Sequence, residues 1–356
     1  MPDKIRLGFI GCGNMGQIAH IRNYAQLTDD CELVALAELR PELSKNVAER
    51  YGISEVYSDH QTMLAEAEID AVVAIMYYGI HYTVVPDVLS AGKHLITEKP
   101  MGCDPLTALQ WKSLADENDL VYLVGYMKRW DVAARHLAER VKSLRESGEL
   151  GQLRYLRCNM SGTDWTWNNE PAIRATEKIE SPPSNEPFPQ KLDVAQVGFY
   201  NMNINFYVHQ VNLIRFLLGE DFKLTHTHPD GKVLLATTDS GIAITLEMGL
   251  HQIPQTWDED YYLSFEDADF ELKMPAPLRM QTNGELSARR GMGGNPYVRI
   301  SPNMPPSWSF FEQAKGFLAA VKEGRAPFDS AGDGVKDLEF FVEQARFMKE
   351  AGGNLG

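Results

Sequence analysis

The sequence predicts an α/β protein of two textures: a doubly wound parallel sheet in residues 1–127, then an α+β domain with an open, mostly antiparallel sheet in residues 128–356. Three observations carry this reading. The first third alternates short apolar runs with helix-compatible segments, the spacing of parallel strands joined by crossover helices. A glycine-rich turn, Gly8–Gly16, follows the first apolar run at once. Beyond Gly151 the pattern becomes a series of short alternating runs with few helices between them.

The elements follow in order. Lys4–Ile10 reads as a strand through Ile5, Leu7, Phe9 and Ile10, and Gln17–Leu27 as a helix. Glu32–Ala37 is the second strand, and Pro41–Tyr51 a helix opened by proline. Ala71–Ile75 is a buried strand, His81–Ala91 a helix ended by Gly92, and His94–Thr97 a strand. Pro105–Asn118 is a helix, Leu120–Gly125 a strand, and Val132–Ser147 a helix stopped by Gly148 and Gly151. The alternating runs are Leu153–Asn159, Lys232–Thr237, Ile242–Gly249, Tyr261–Phe265 and Phe270–Lys273. One helix, Asn201–Leu218, interrupts them, and Trp308–Glu323 and Val335–Glu350 finish the chain. Ser181–Pro189 and Ala288–Tyr297 are expected to be loops, the second a lid or an oligomer contact.

The 356 residues suffice for two domains, and 44% hydrophobic with 23% charged content is ordinary for a soluble protein. A net charge of −15 argues against nucleic acid as a partner. No apolar run is long enough to span a membrane, and Met1-Pro2-Asp3-Lys4 leads straight into the first strand without a signal-peptide pattern. Cys12, Cys31, Cys103 and Cys158 lack metal-type spacing and read as reduced thiols, so no metal is expected and the location is expected to be cytoplasmic.

In Gly11-x-Gly13-x-x-Gly16 each glycine has a physical task. Gly11 makes the tight turn, Gly13 lets a pyrophosphate approach the backbone, and Gly16 lets the helix pack on the strand. The helix N-terminus offers N–H groups to phosphate. This is a dinucleotide-binding, Rossmann-type turn. Glu38 ends the second strand 22 residues after Gly16, where a carboxylate accepts hydrogen bonds from a ribose diol. It repels a 2′-phosphate, which favours NAD over NADP, although Arg40 could serve such a phosphate.

Two further elements carry chemistry. Glu98-Lys99-Pro100 follows the strand His94–Thr97, on the edge where such sheets bind ligands. A lysine there can stabilise an alkoxide formed during hydride transfer, or simply end a strand at the surface. On the helix Asn201–Leu218, Asn205, His209 and Asn212 form a polar stripe at i, i+4 and i+7. A histidine there can take a hydroxyl proton near neutral pH, or be a hydrogen-bonded core residue. Trp165, Trp167 and their amide neighbours suit a sugar, whose C–H faces stack while its hydroxyls hydrogen-bond; packing explains them equally well.

The glycine turn, Ile96-Thr97-Glu98-Lys99-Pro100 with His81 and Ala91-Gly92-Lys93-His94, Gly125–Trp130, Gly148–Gly151 and the histidine helix before Leu217-Leu218-Gly219 resemble the Gfo/Idh/MocA family over essentially the whole chain. The resemblance implies an NAD(P)-dependent oxidoreductase of sugars or cyclitols. It implies Lys99 as the catalytic lysine, a cis Lys99–Pro100 bond, His209 as acid/base with Asn205 beside it, and Arg129 near substrate and nicotinamide. It also implies cofactor contacts from Asn14, Met15, Tyr78, His81 and Glu98, substrate contacts from Asn212, and a homo-oligomer, dimer or tetramer. Two other readings stay open: glycoside cleavage by transient oxidation with bound NAD, and a non-catalytic NAD-binding regulator.

The chain departs from the family at two places. Met76-Tyr77 replaces the usual Thr-Pro, which bears on the nicotinamide contacts of Met76–Gly79. Asn205 stands where sugar dehydrogenases of the family often have aspartate, and an amide cannot stabilise an imidazolium as a carboxylate can. His209 is therefore expected to be a weaker base than in those relatives. Asn205→Asp should move the acidic limb of the pH–rate profile upward; a profile that stays put would refute the idea.

Overall fold

The computed structural model describes residues 4–162, 164–166, 172–179, 186–249, 253, 255–292 and 295–353. The chain forms two compact units, one of residues 1–126, 170–190 and 310–338, the other of 127–169, 191–309 and 339–356. The first crossing falls one residue before the expected boundary, but the chain then crosses four more times, so both units are discontinuous in sequence. The reason is visible in the hydrogen bonds of the first unit: Val124 N donates to Ser330 Oγ at 3.0 Å, and Lys322 Nζ reaches Asp30 at 2.5 Å.

The first unit begins with β1 (Ile5–Ile10), then a π-helical segment Gly16–Ile21 that continues as α1 (Arg22–Tyr24). After these come β2 (Cys31–Ala37), α2 (Pro41–Tyr51), β3 (Glu55–Tyr57), α3 (His60–Glu66) and β4 (Ala71–Ala74). A 3-10 turn (Tyr78–Ile80), α4 (His81–Ser90), β5 (His94–Thr97), α5 (Pro105–Glu117) and β6 (Tyr122–Val124) complete it up to residue 126. The six strands are parallel in the order β3-β2-β1-β4-β5-β6. Leu7, Phe9 and all of Ala71–Ala74 are fully buried, as expected of strands covered on both faces. The order reverses between β1 and β4, and in such sheets ligands bind at the carboxyl ends there, beside Gly11 and Ile75. Sequence reading missed β3, a half-buried edge strand of three residues, and α3, whose N-cap Asp59 accepts from Thr62 N at 2.8 Å.

In the second unit a 3-10 turn (Met127–Trp130) leads into α6 (Val132–Ser147), capped by the buried Asp131, and β7 (Leu153–Met160). The helices α7 (Val194–Phe206) and α8 (Val208–Leu218) follow. Then come β8 (Phe222–Thr227), β9 (Val233–Thr238), β10 (Ala243–Met248), β11 (Glu259–Phe265), β12 (Ala268–Lys273), β13 (Glu285–Met292) and β14 (Asn295–Ile300). The eight strands are ordered β14-β13-β12-β11-β7-β10-β9-β8, and only β7 with β10 is parallel. Alternate residues point inward, among them Leu156, Cys158, Leu246, Tyr261, Leu263 and Leu272, and α6 and α8 pack on each other and on the sheet.

Two expectations are corrected here. The predicted helix Asn201–Leu218 is two helices, broken at Tyr207 with φ −110° and ψ 0°. The first begins earlier, because Asp193 and Gln196 form a capping box ahead of Val194. The stretch Ala288–Tyr297 is not a loop but most of the hairpin β13–β14, held to β12 by the bidentate pair of Arg289 with Asp269. Finally α9 (Ser309–Glu323) and α10 (Ser330–Glu350) close the chain, α10 starting five residues before the predicted Val335. Gly334 in its first turns brings the helix close to Met101, whose Sδ a Cβ would meet at 3.1 Å.

Candidate active site

In the first unit the glycine turn has the shape its spacing implies. Gly11 adopts φ +85°, and a Cβ there would lie 2.3 Å from the Ile75 carbonyl oxygen. A Cβ on Gly16 would meet the Gly11 carbonyl at 2.7 Å. Protein packing thus explains these two glycines. It does not explain Gly13, whose Cβ would meet only the tip of Arg40 at 3.7 Å. The open side of Gly13, with Asn14 exposed and Met15 half-buried in the first helical turn beyond it, is a cradle that fits a pyrophosphate.

The acid at the end of β2 is more enclosed than the sequence suggests. Glu38 is 6% exposed. It accepts from Cys12 N at 2.9 Å, and Arg40 grips both its oxygens, Nε at 2.7 Å and an Nη at 2.9 Å. Burial alone would raise this carboxyl, but the Arg40 and Cys12 donors outweigh it and hold the pKa below the ordinary value. Glu38 therefore stays ionised, with its charge largely answered by Arg40.

Lys99 is half-buried at the carboxyl end of β5, in a cis Lys99–Pro100 turn. Three neighbours fix this turn. Glu98 accepts from the Lys99 backbone N at 3.2 Å and lies 2.8 Å from His20 Nε2. His81 is fully buried, with Nδ1 3.0 Å from the Met101 carbonyl, and burial lowers its pKa to about 4. A neutral imidazole thus holds the residue two beyond Lys99 through Nδ1, and its Nε2 is buried without a hydrogen-bond partner among the described residues. Glu186 holds the next stretch through one oxygen, which accepts from Cys103 N and, at 3.2 Å, from Asp104 N. Tyr78 is buried at 7% exposure, its ring tilted by 46° against that of the exposed Tyr77 with centroids 4.5 Å apart.

In the second unit His209 is half-buried in the first turn of α8, and Asn212 is buried. Asn205 lies on α7, across the break at Tyr207, so the three do not form one continuous helical stripe. Arg129 is 1% exposed; it donates to the Asn212 carbonyl at 3.2 Å and lies over the Phe216 ring at 5.3 Å. Its interior role is to brace α8. Trp165 is 41% exposed, while Trp167 lies outside the described residues.

Beneath this helix is a buried polar cluster. Lys128 pairs with Glu259, which also accepts from Gln210 Nε2 at 2.9 Å, Tyr261 Oη at 2.8 Å and Trp257 Nε1 at 3.2 Å. An ion pair so enclosed depends on further partners, and here Gln210, Tyr261 and Trp257 supply them to the Glu259 carboxylate while the Trp257 ring lies 5.3 Å from Lys128 Nζ. Sequence reading missed Lys128, Glu259, His20 and Glu186. A signal existed for Lys128, which stands beside Arg129 in a run already singled out; Glu186 carried none, because its partners are 82 and 83 residues away. Surface hollows at Ser264–Asp269 and at Lys112–Asp119 are lined by none of the predicted site residues. Among the described residues no metal-ligating cluster occurs, and no helix is long and apolar enough to cross a membrane.

Residues 5–126 match the model of the Gfo/Idh/MocA oxidoreductase family, NAD-binding Rossmann fold. Myo-inositol 2-dehydrogenase of Thermotoga maritima is 22% identical over 345 residues, covering 94% of this chain and 93% of that protein. Apo scyllo-inositol dehydrogenase from Lactobacillus casei superposes with a TM-score of 0.69 at 16% identity, covering 98% and 97% of the two chains. A 3-ketoreductase from Actinomadura kijaniata, in complex with NADP and TDP-benzene, gives 0.69 at 18% identity over 96% of each chain.

Two outcomes follow for this site. Gly11→Ala should destabilise the fold by about 3 kcal/mol, from positive φ and the collision with Ile75. Gly13→Ala should leave thermal stability within about 0.5 kcal/mol but weaken dinucleotide binding at least tenfold; equal effects of the two on stability would contradict the cradle. The second concerns Glu186. Burial, opposed by the Cys103 and Asp104 N–H donors, raises its carboxyl from 4.5 to about 7. The folded chain then holds a proton that the unfolded chain has released, so stability falls as pH rises from 4.5 to about 7 and stays lost above. Glu186→Gln keeps the acceptor oxygen without the charge. It should melt higher than the unsubstituted chain at pH 8 and alike at pH 5, measured by thermal denaturation; a pH-independent difference would refute the assignment.

Proposed function

We propose that the chain is an oxidoreductase of the Gfo/Idh/MocA family, whose model residues 5–126 match, and that Lys99 and His209 carry its reaction, oxidation of a secondary alcohol of a sugar, glycoside or cyclitol or reduction of the corresponding ketone. NAD, when bound, accepts or returns the hydride. The observation that carries the reading is the fixed position of Lys99. It ends β5 on the ligand-bearing edge of a dinucleotide fold, in a turn held by Glu98, His81 and Glu186.

The roles follow from the chemistry of the side chains. Gly11, Gly13 and Gly16, with the first-turn amides of Asn14 and Met15, hold the pyrophosphate. His209 takes the proton of the substrate hydroxyl, and its helix is kept in place by Arg129 and by the Lys128–Glu259 cluster below it. The Lys99 ammonium stabilises the oxygen as negative charge develops there. Trp165, Asn205 and Asn212 are proposed to serve the sugar, Trp165 through its exposed face. A homo-oligomer in the cytoplasm is part of the same reading; four buried cysteines outside any disulfide are compatible with a reducing compartment.

The test is absorbance of reduced nicotinamide with NAD, then NADP, across sugars, glycosides and inositols, for the unsubstituted chain beside Lys99→Ala and His209→Ala. NADH should form with one substrate class, and each substitution should lower kcat by about 100-fold or more while NADH binding persists. Tight NADH binding without turnover on any compound would refute the dehydrogenase reading, and aglycone release without net NADH would assign the transient-oxidation route instead.

A further inference from the structure

We propose that Glu177, on a segment remote in sequence from the nucleotide fold, is the residue that makes this chain reject a 2′-phosphate and so selects NAD over NADP; the inference rests on the dinucleotide reading of the first unit. The sequence points to Glu38 for that task, yet Glu38 is nearly enclosed and both its oxygens are held by Arg40. A carboxylate so neutralised repels an incoming anion weakly. The carboxylate placed to do so is another one.

Glu177 belongs to the same unit and sits on the N-terminus of α2, the 11-residue helix that follows Glu38 and Arg40. It accepts from Glu42 N at 2.6 Å through one oxygen and from Leu43 N at 3.0 Å through the other. These first-turn amides have no partner inside the helix and form an anion seat. In a dinucleotide fold the loop between the second strand and its helix receives the adenosine ribose, so this seat and Arg40 are what a 2′-phosphate would need. Both are taken: the seat by Glu177, the guanidinium by Glu38. Glu177 also acts electrostatically on Arg40 in that loop and on Cys12 in the glycine turn, which places it near both. Arg40 thus answers two carboxylates, Glu38 and Glu177, an excess of negative charge that a phosphate would have to join.

The position of Glu177 is fixed rather than incidental. The Gln17 carboxamide, one residue after Gly16, pairs with Ile173 in both directions: it donates to the carbonyl at 3.1 Å and accepts from the amide at 2.8 Å. Thr176 Oγ1 donates to Glu42 at 2.6 Å. The segment 172–179 is thereby tied to the helical turn beyond the glycines at one end and to α2 at the other. An incoming phosphate would have to displace this carboxylate from the amides it occupies.

The experiment is equilibrium titration of NADH and NADPH, followed by nicotinamide fluorescence, on the unsubstituted chain, Glu177→Gln and Glu177→Ala, without substrate. NADH affinity should stay within about threefold, which also reports an intact fold, and the NADPH-to-NADH affinity ratio should rise about tenfold or more in both variants. NADH binding retained with an unchanged ratio overturns the role of Glu177 and leaves the dinucleotide reading standing. Failure of the unsubstituted chain to bind either nucleotide overturns the dinucleotide reading and the proposal with it.

Discussion

The close approach of Gly11 to the Ile75 carbonyl is the constraint on which the nucleotide-binding unit depends. The first strand must end and its helix begin directly over the end of the fourth, at the point where strand order reverses. With no Cβ at Gly11, the turn closes at positive φ against that carbonyl, and Gly16 then brings the helix onto the turn itself. Everything that reads as chemistry in this unit is set from there. The crevice lies at the carboxyl ends of β1 and β4, Glu38 folds back onto Cys12 of the turn, and Lys99 comes from the next strand along.

Carboxylates do most of the positioning around that turn, which is notable in a chain of net charge −15. Each is answered by fixed donors. Arg40 and Cys12 N answer Glu38; His20 and the Lys99 amide answer Glu98; Cys103 N and Asp104 N answer Glu186. In the second unit Lys128, Gln210, Tyr261 and Trp257 answer Glu259. A buried acid with several donors holds backbone in place more specifically than apolar contact does, because moving any donor leaves a charge unsatisfied. The acids thus serve as anchors for the turns that carry Lys99 and for the helix that carries His209.

Legibility in the sequence followed locality. The glycine turn, Glu38 with Arg40, and Glu98-Lys99-Pro100 were readable because their residues are near neighbours and their chemistry depends on spacing. The break at Tyr207 was not, since Asn-Phe-Tyr-Val contains neither proline nor glycine and continues a helical composition. The β13–β14 hairpin reads as a loop because Gly291 and its neighbours look like turn residues; its strand character comes from pairing with β12, some 20 residues away. Glu177 and Glu186 were invisible for the same reason in stronger form, as their partners lie in the first turn of α2 and just ahead of α5, far upstream. The stripe Asn205, His209 and Asn212 was readable as a pattern, but burial divides it: Asn212 turns inward, and Asn205 sits on a separate helix.

The interleaving of the two units has a consequence for how such a chain can be inherited or rebuilt. A nucleotide-binding half that ended near residue 127 could be moved between proteins by a single genetic crossover. This one cannot, because it also owns 170–190 and 310–338. A fragment cut at the first boundary would leave Val124 N without Ser330, the Cys103 and Asp104 amides without Glu186, and the start of α2 without Glu177. Recombination among relatives must therefore exchange several matched pieces together or none, so residues 170–190 and 310–338, although they lie far downstream in the sequence, have to travel with the dinucleotide unit they complete.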